Sequence, residues 1–194
     1  LGDMVRGFDV AGACFGTVAL DGIVDGSAVQ VGDPIIGLPS SGIHSNGYTL
    51  ARSALEGLAL DEDPGGRLGR PLGGVLLEPA EIYVQPVLEL LRPAVHVRGP
   101  AHTPSGGLGN LLRLAAEVGY EIDEPLPAPP IFELIQERGG VGEEEMRDVF
   151  NRGCGFCIVV APDDEALAVE TMRRHYPEAR RIGRAVEGSS VRLR

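Results

Sequence analysis

Residues Ser40–Arg52 read Ser-Ser-Gly-Ile-His-Ser-Asn-Gly-Tyr-Thr-Leu-Ala-Arg, and no other stretch narrows the possible folds as far. The apolar run Pro34–Leu38 before it reads as a buried strand. Tyr48–Leu58 after it reads as a helix with Leu50, Ala54, Leu55 and Leu58 on one face. Between them lies a strand-to-helix bend crowded with hydroxyls, an amide and an imidazole. Gly42 and Gly47 let the backbone take positive φ and let a ligand come close. Amide N–H groups at a helix start attract anions. Ser41, Ser45 and Asn46 can donate to phosphate or sugar oxygens, and His44 can titrate near neutrality. A plainer reading uses the same residues, with Ser45 or Asn46 as helix cap and His44 on the surface.

A second unit of the same kind begins with a short strand at Val95–Val97. The loop from Gly99 to Asn110 carries His102, Gly106 and Gly107, and Leu111–Val118 reads as a helix. An anion suits this helix start too, or Ser105 or Asn110 simply caps it.

The rest of the chain supplies a frame. Phe8–Leu20 reads as a buried strand with Asp9 at its start, and Asp61–Gly74 as a glycine-rich mobile loop without dinucleotide-fingerprint spacing. Glu78–Leu91 reads as a helix burying Ile82, Val84, Val87, Leu88 and Leu91, with Pro86 kinking it or marking its start. Asp123–Pro130 is a stiff lead-in to a helix at Ile131, and Glu143–Glu145 opens the next. Phe156–Val160 reads as a strand, Pro162–Tyr176 as an amphipathic helix, and Ala179–Val186 and Val191–Leu193 as closing strands. Strands and helices mix without strict alternation. The expectation is one α+β domain over residues 1–194, a mixed β-sheet flanked by helices.

Several chemistries drop out. A net charge of −11 argues against nucleic-acid binding, and no apolar run approaches the ~20 residues of a membrane span. All 17 basic residues are arginine, so a Walker-type lysine loop and Schiff-base chemistry are both excluded within these residues. Cys154-Gly-Phe-Cys157 lacks the second pair that zinc needs. Its spacing of three on a strand predicts opposite faces, hence two buried small hydrophobes. Adjacent carboxylates at Glu143–Glu145 diverge around a helix, so no metal site is expected. Three cysteines, an odd count, suit a reducing, cytoplasmic setting. Leu1 in first position reads as a fragment or a processed form.

Pro39–Arg52 also resembles phosphoribosylformylglycinamidine cyclo-ligase, the aminoimidazole ribonucleotide synthetase of purine synthesis. That family's pattern is Ser-Ser-Gly-x-His-Ser-Asn-Gly-Tyr-Ser-Leu-x-Arg, departed from only at Thr49. Ala101, His102, Gly106, Gly107, Asn110, Leu111 and Arg113 match a second segment. There Pro104-Ser105 replaces Thr-Gly, Leu112 replaces Pro, and the family's Glu before Asn110 is missing. Ala80-Glu81 and Gln85 replace its Thr-Arg and Lys. Pro129–Phe132 and Glu145–Gly155 match further segments.

The resemblance implies the C-terminal half of an enzyme that uses ATP and Mg, with the metal ligands and ATP loop mainly in an N-terminal half outside these residues. It implies a nucleotide substrate, a homodimer, and substrate contacts at Ser41, Gly42, Ser45, Asn46 and Gly47. His44 would act in acid–base chemistry or orientation, and His102, Gly106 and Gly107 would line the groove's other side. Two alternatives stand beside it. One is an isolated ligand-binding or dimer-supporting domain without turnover. The other is a related ATP-using protein, such as formylglycinamidine ribonucleotide synthetase.

Overall fold

Six strands form one mixed sheet in the computed structural model, which describes residues 12–91 and 95–194. They are β1 (Pro34–Pro39), β2 (Val97–His102), β3 (Gly119–Ile122), β4 (Cys154–Val160), β5 (Arg180–Val186) and β6 (Val191–Leu193), in the spatial order β2-β4-β1-β5-β3-β6. Only β3 and β6 pair in parallel. The helices are α1 (Tyr48–Ala54), α2 (Leu72–Leu76), α3 (Val84–Leu90), α4 (Pro130–Gly139), α5 (Glu143–Val149) and α6 (Glu165–Arg173). This is the α+β architecture that the element pattern predicts.

Period-two alternation on the central strands divides the interior. Ile36, Leu38, Ile158 and Val160 pack with Leu90 of α3 and with Ala168 and Met172 of α6. Ile35, Cys157, Val159 and Ile182 turn the other way, toward Leu111 and Leu114. Covered on both faces, β1 is a continuous apolar run. A third cluster lies off the sheet, where α1, α2, α4 and α5 bury Ala51, Leu72, Phe132, Ile135 and Met146 around Phe150.

Several expectations are corrected. Residues 12–19 carry no regular structure and are exposed, with Phe15 at 98%. Among the described residues no strand pairs with them. Residues 8–11, including Asp9, lie outside the described residues. The 61–74 stretch is not an unstructured loop. Asp63 accepts bonds from the amides of Leu68 and Gly69 (2.9 and 2.8 Å), and α2 plants Leu72 fully in the core. α3 is a helix, but it buries Pro86 and Leu90, with Tyr83 just before it. Ile82, Val84 and Leu88 are more than half exposed.

β2 runs on through Pro100 to His102. An edge strand tolerates that proline because its N–H side needs no partner. The expected helix at 111–118 is instead a 3-10 segment, Gly107–Arg113, followed by bends. Strand β3 was not anticipated. The sulfurs of Cys154 and Cys157 do not point to opposite faces: they lie 3.6 Å apart in one cluster. The cause is a β-bulge. Leu38 pairs with Phe156 and Pro39 with Cys154, so Gly155 is an extra residue that reverses the alternation. Both thiols are buried, and the Cys154 sulfur with burial pushes the Cys157 thiol up.

Candidate functional site

The topology brings the two glycine bends together. β1 and β2 each run antiparallel to β4, so they point the same way with only that strand between them. Their C-terminal ends, and the bends that follow, therefore leave one edge of the sheet roughly 10 Å apart, two interstrand spacings. Both bends are fastened to the start of β4. The Ser40 amide donates to the Gly153 carbonyl (2.9 Å). On the other side, the Thr103 amide donates to the Gly155 carbonyl (3.1 Å) and its hydroxyl to the Cys154 carbonyl (2.6 Å).

Asn151 shapes the first bend from the far end of the chain. Its side-chain amide donates to the Gly42 carbonyl (2.8 Å), and its Oδ1 accepts from the Ser40 hydroxyl (2.7 Å) and the Gly153 amide (2.9 Å). The Ser41 hydroxyl donates to the Pro79 carbonyl (2.7 Å). Ser45 is exposed and Asn46 half-buried, and the Asn46 amide donates to the Ser45 hydroxyl (3.4 Å). The α1 cap is Gly47 in a left-handed conformation, with neither Ser45 nor Asn46 bonding to the helix. A side chain at 47 would collide with the Phe150 ring. Above Gly42, by contrast, there is open space.

His44 is buried, at 5% exposure, and sits at φ +59°. The Ser41 amide donates to its Nε2 (3.2 Å). An accepting Nε2 puts the proton of the neutral ring on Nδ1. That Nδ1 is shielded from water and has no partner, an arrangement that costs about 1–3 kcal/mol. Burial, then the neighbouring His102, pull the His44 pKa below its ordinary 6.5. His102, at the end of β2, is exposed. Partial burial lowers its pKa as well.

Between the two imidazoles stands Tyr83, which motif matching did not single out. Its ring centroid lies 6.3 Å from that of His44 and 6.2 Å from that of His102, and its hydroxyl donates to the Pro39 carbonyl (2.7 Å). The sequence did carry a signal: Ile82-Tyr83-Val84 falls on Ile-Tyr-Val of the resembled family, in the same segment where Ala80-Glu81 and Gln85 depart from it.

The second bend is pinned both by its own Asn110 and from the end of α5. The Asn110 side chain donates to the carbonyls of Ser105 (2.7 Å) and Gly107 (3.2 Å). The Gly106 amide donates to the Asp148 carbonyl (2.8 Å). A Cβ at Gly107 would lie 2.7 Å from the Phe150 carbonyl oxygen and 2.9 Å from that of Arg147. Of the nominated residues, only Gly106 borders a cleft of about 480 Å³ on the Cys154–Ile182 side of the sheet. There Arg152 and Gln136 hold the Glu143 carboxyl down to about 2. Among the described residues, no three His, Cys, Asp or Glu side chains converge as a metal site would require. None of their helices is long and apolar enough to cross a membrane.

The family model for the AIR synthase related protein, C-terminal domain, matches residues 30–194. The chain belongs to that family. Phosphoribosylformylglycinamidine cyclo-ligase of Methanopyrus kandleri is 46% identical over 188 residues, covering 96% of the chain and 53% of the relative. The chain spans about half the length of the curated relatives it matches. The crystal structure of E. coli HypE, a hydrogenase maturation protein, superposes with a TM-score of 0.56 at 22% identity, over 87% of the chain and 48% of HypE. A HypE in complex with ATP gives 0.55 at 16% identity, over 91% of the chain and 51% of that protein. These two likenesses are of fold alone. The matched family model and the curated relatives uphold the resemblance read from Ser40–Arg52.

Proposed function

We propose that this chain is the C-terminal half of an ATP-dependent cyclo-ligase that closes formylglycinamidine ribonucleotide to aminoimidazole ribonucleotide. The two bends together hold the substrate's ribose phosphate. Ser41, Gly42, Ser45, Asn46 and Gly47 make the contacts on one side, and His102, Gly106 and Gly107 line the other. His44, its Nε2 held by the Ser41 amide and its Nδ1 shielded from water, serves by orienting the first bend beneath the reacting amide.

One observation carries this reading. Two bends with anion-binding chemistry leave the same sheet edge, separated by a single strand, with a histidine from each flanking Tyr83. Neutral rings and main-chain amides suit a phosphate on an otherwise acidic protein, because they donate hydrogen bonds without requiring net positive charge.

Under this reading ATP binding and Mg coordination fall chiefly to an N-terminal half outside these residues. In the same reading the longer enzyme is a cytoplasmic homodimer.

The test uses the full-length enzyme and substrate-dependent ATP hydrolysis. Asn46→Ala and His102→Ala should each lower kcat/KM by about a hundredfold, a loss of the size seen when positioning fails. Unchanged kcat/KM in both would end the reading. The 194-residue chain alone should show no turnover.

A further inference from the structure

Tyr83 is held more firmly than a ring that merely fills space. It is 5% exposed and touches four other rings: His44, His102, Phe156 at 5.3 Å and Tyr176 at 5.6 Å. Its hydroxyl is anchored at the last residue of β1. Gly155, the extra residue of the bulge, makes room for it. A Cβ there would run into the Tyr83 hydroxyl and come within 2.9 Å of the His44 ring. Strand end, bulge, tyrosine and both imidazoles are thus one packed unit.

We propose that Tyr83 is a positioning residue for the two-bend site. Packed against both rings and laid over Gly155, its ring sets the spacing and tilt of the His44 and His102 imidazoles, with the hydroxyl bond to Pro39 a secondary tether. This rests on the ribose-phosphate reading for what the imidazoles meet, but not for how they are held.

The chemistry fits that task. Burial raises the Tyr83 pKa far above its usual value, so the phenol remains a neutral donor and adds no charge beside the histidines. The other titratable groups around it are Tyr176, Cys154, Cys157 and Glu81. The imidazoles also sense one another, since the pKa of His44 is lowered in part by His102. Packing rather than hydrogen bonding links the tyrosine to the two rings. A phenylalanine should therefore keep most of the function, and a leucine should not.

The experiment follows the His44 and His102 rings by NMR through a pH titration of the 194-residue chain. In Tyr83→Leu both titrations should move up toward 6.5. Tyr83→Phe should restore both. The same samples are titrated with ribose 5-phosphate. Its Kd should rise about tenfold in Tyr83→Leu and return close to wild type in Tyr83→Phe.

Should Tyr83→Leu fail to fold, Gly155→Ala displaces the tyrosine by a single methyl group, and the effect is read at His102, because the new methyl meets the His44 ring directly. Unaltered His44 and His102 titrations in a folded Tyr83→Leu, or an unaltered His102 titration in Gly155→Ala, would overturn the proposal. If the titrations respond but the wild-type chain does not bind ribose 5-phosphate, the phosphate reading fails and the positioning role stands.

Discussion

The two bends carry the same kinds of residue, yet the fold holds them by different means. The bend after β1 takes its shape from Asn151, which lies 109 residues from Gly42 and 111 from Ser40. The bend after β2 is closed by its own Asn110, five residues from Ser105 and three from Gly107. That closure is local, although the same bend is also tied outward through Thr103 to Cys154 and Gly155 and through Gly106 to Asp148. A turn closed from across the sheet forms only when β1 and β4 have paired, because only then does Asn151 reach it. Similar glycine-rich sequences can therefore differ in how far their shape depends on the rest of the molecule.

The comparison can be broken most sharply at the long-range pin. Asn151→Ala strands the Gly42 carbonyl, the Gly153 amide and the Ser40 hydroxyl in a buried setting. Urea unfolding should show a loss of about 4 kcal/mol, at roughly 1–2 kcal/mol for each unsatisfied group.

Gly107→Ala comes next, at about 3 kcal/mol. Its new methyl meets two main-chain oxygens that cannot turn aside, and the residue sits at φ +47°. Gly47→Ala should cost less, about 2 kcal/mol, because the Phe150 ring in its way can tilt. Equal losses at 47 and 107 would mean that the ring is as rigid as backbone.

The local pin is weaker. Asn110→Ala should cost about 1.5 kcal/mol, since the exposed Ser105 carbonyl can turn to water. A loss matching that of Asn151→Ala would erase the distinction between the bends.

The mildest effect is on pH dependence. His44 has a folded pKa below its unfolded value near 6.5, so the unfolded chain binds more protons in that window. Stability is then full above about pH 6.5 and declines as pH falls toward the depressed folded value. Chemical denaturation at stepped pH should reveal this slope, and His44→Gln should flatten it in part. A slope unchanged by that substitution would mean that His44 is no more desolvated than a surface histidine.

Where local chemistry decided the outcome, the sequence was readable. Pro34–Leu38 is a strand because an uninterrupted apolar run fits a doubly covered sheet. Pro130 and Glu143 open helices, where a missing N–H or a carboxylate is favoured. The bend at Ser40–Gly47 was legible as a bend, down to the need for a left-handed residue at 47.

What failed had a nonlocal cause. The apolar 12–19 segment reads as a strand, yet a strand requires a neighbour. The α3 pattern offered two plausible apolar faces, and α6 packs on the one holding Pro86, Val87 and Leu90. Four residues with alternating burial preference, Gly119–Ile122, were too short to separate from the preceding apolar run. The Cys154–Cys157 prediction assumed an unbroken pleat, and a single extra glycine inverted it.

By itself the sequence determined the mixed α+β composition, the two glycine bends and the family likeness. All three reside in neighbouring residues whose backbone preferences and side-chain chemistry act at short range. Tertiary structure alone decided that His44 is sealed from water with its proton on Nδ1, and that Tyr83 stands between two histidines 58 residues apart in number. Both follow from β4 passing between β1 and β2, a pairing more than a hundred residues distant from β1. No local propensity encodes such a contact, because its free energy exists only once the strands have met.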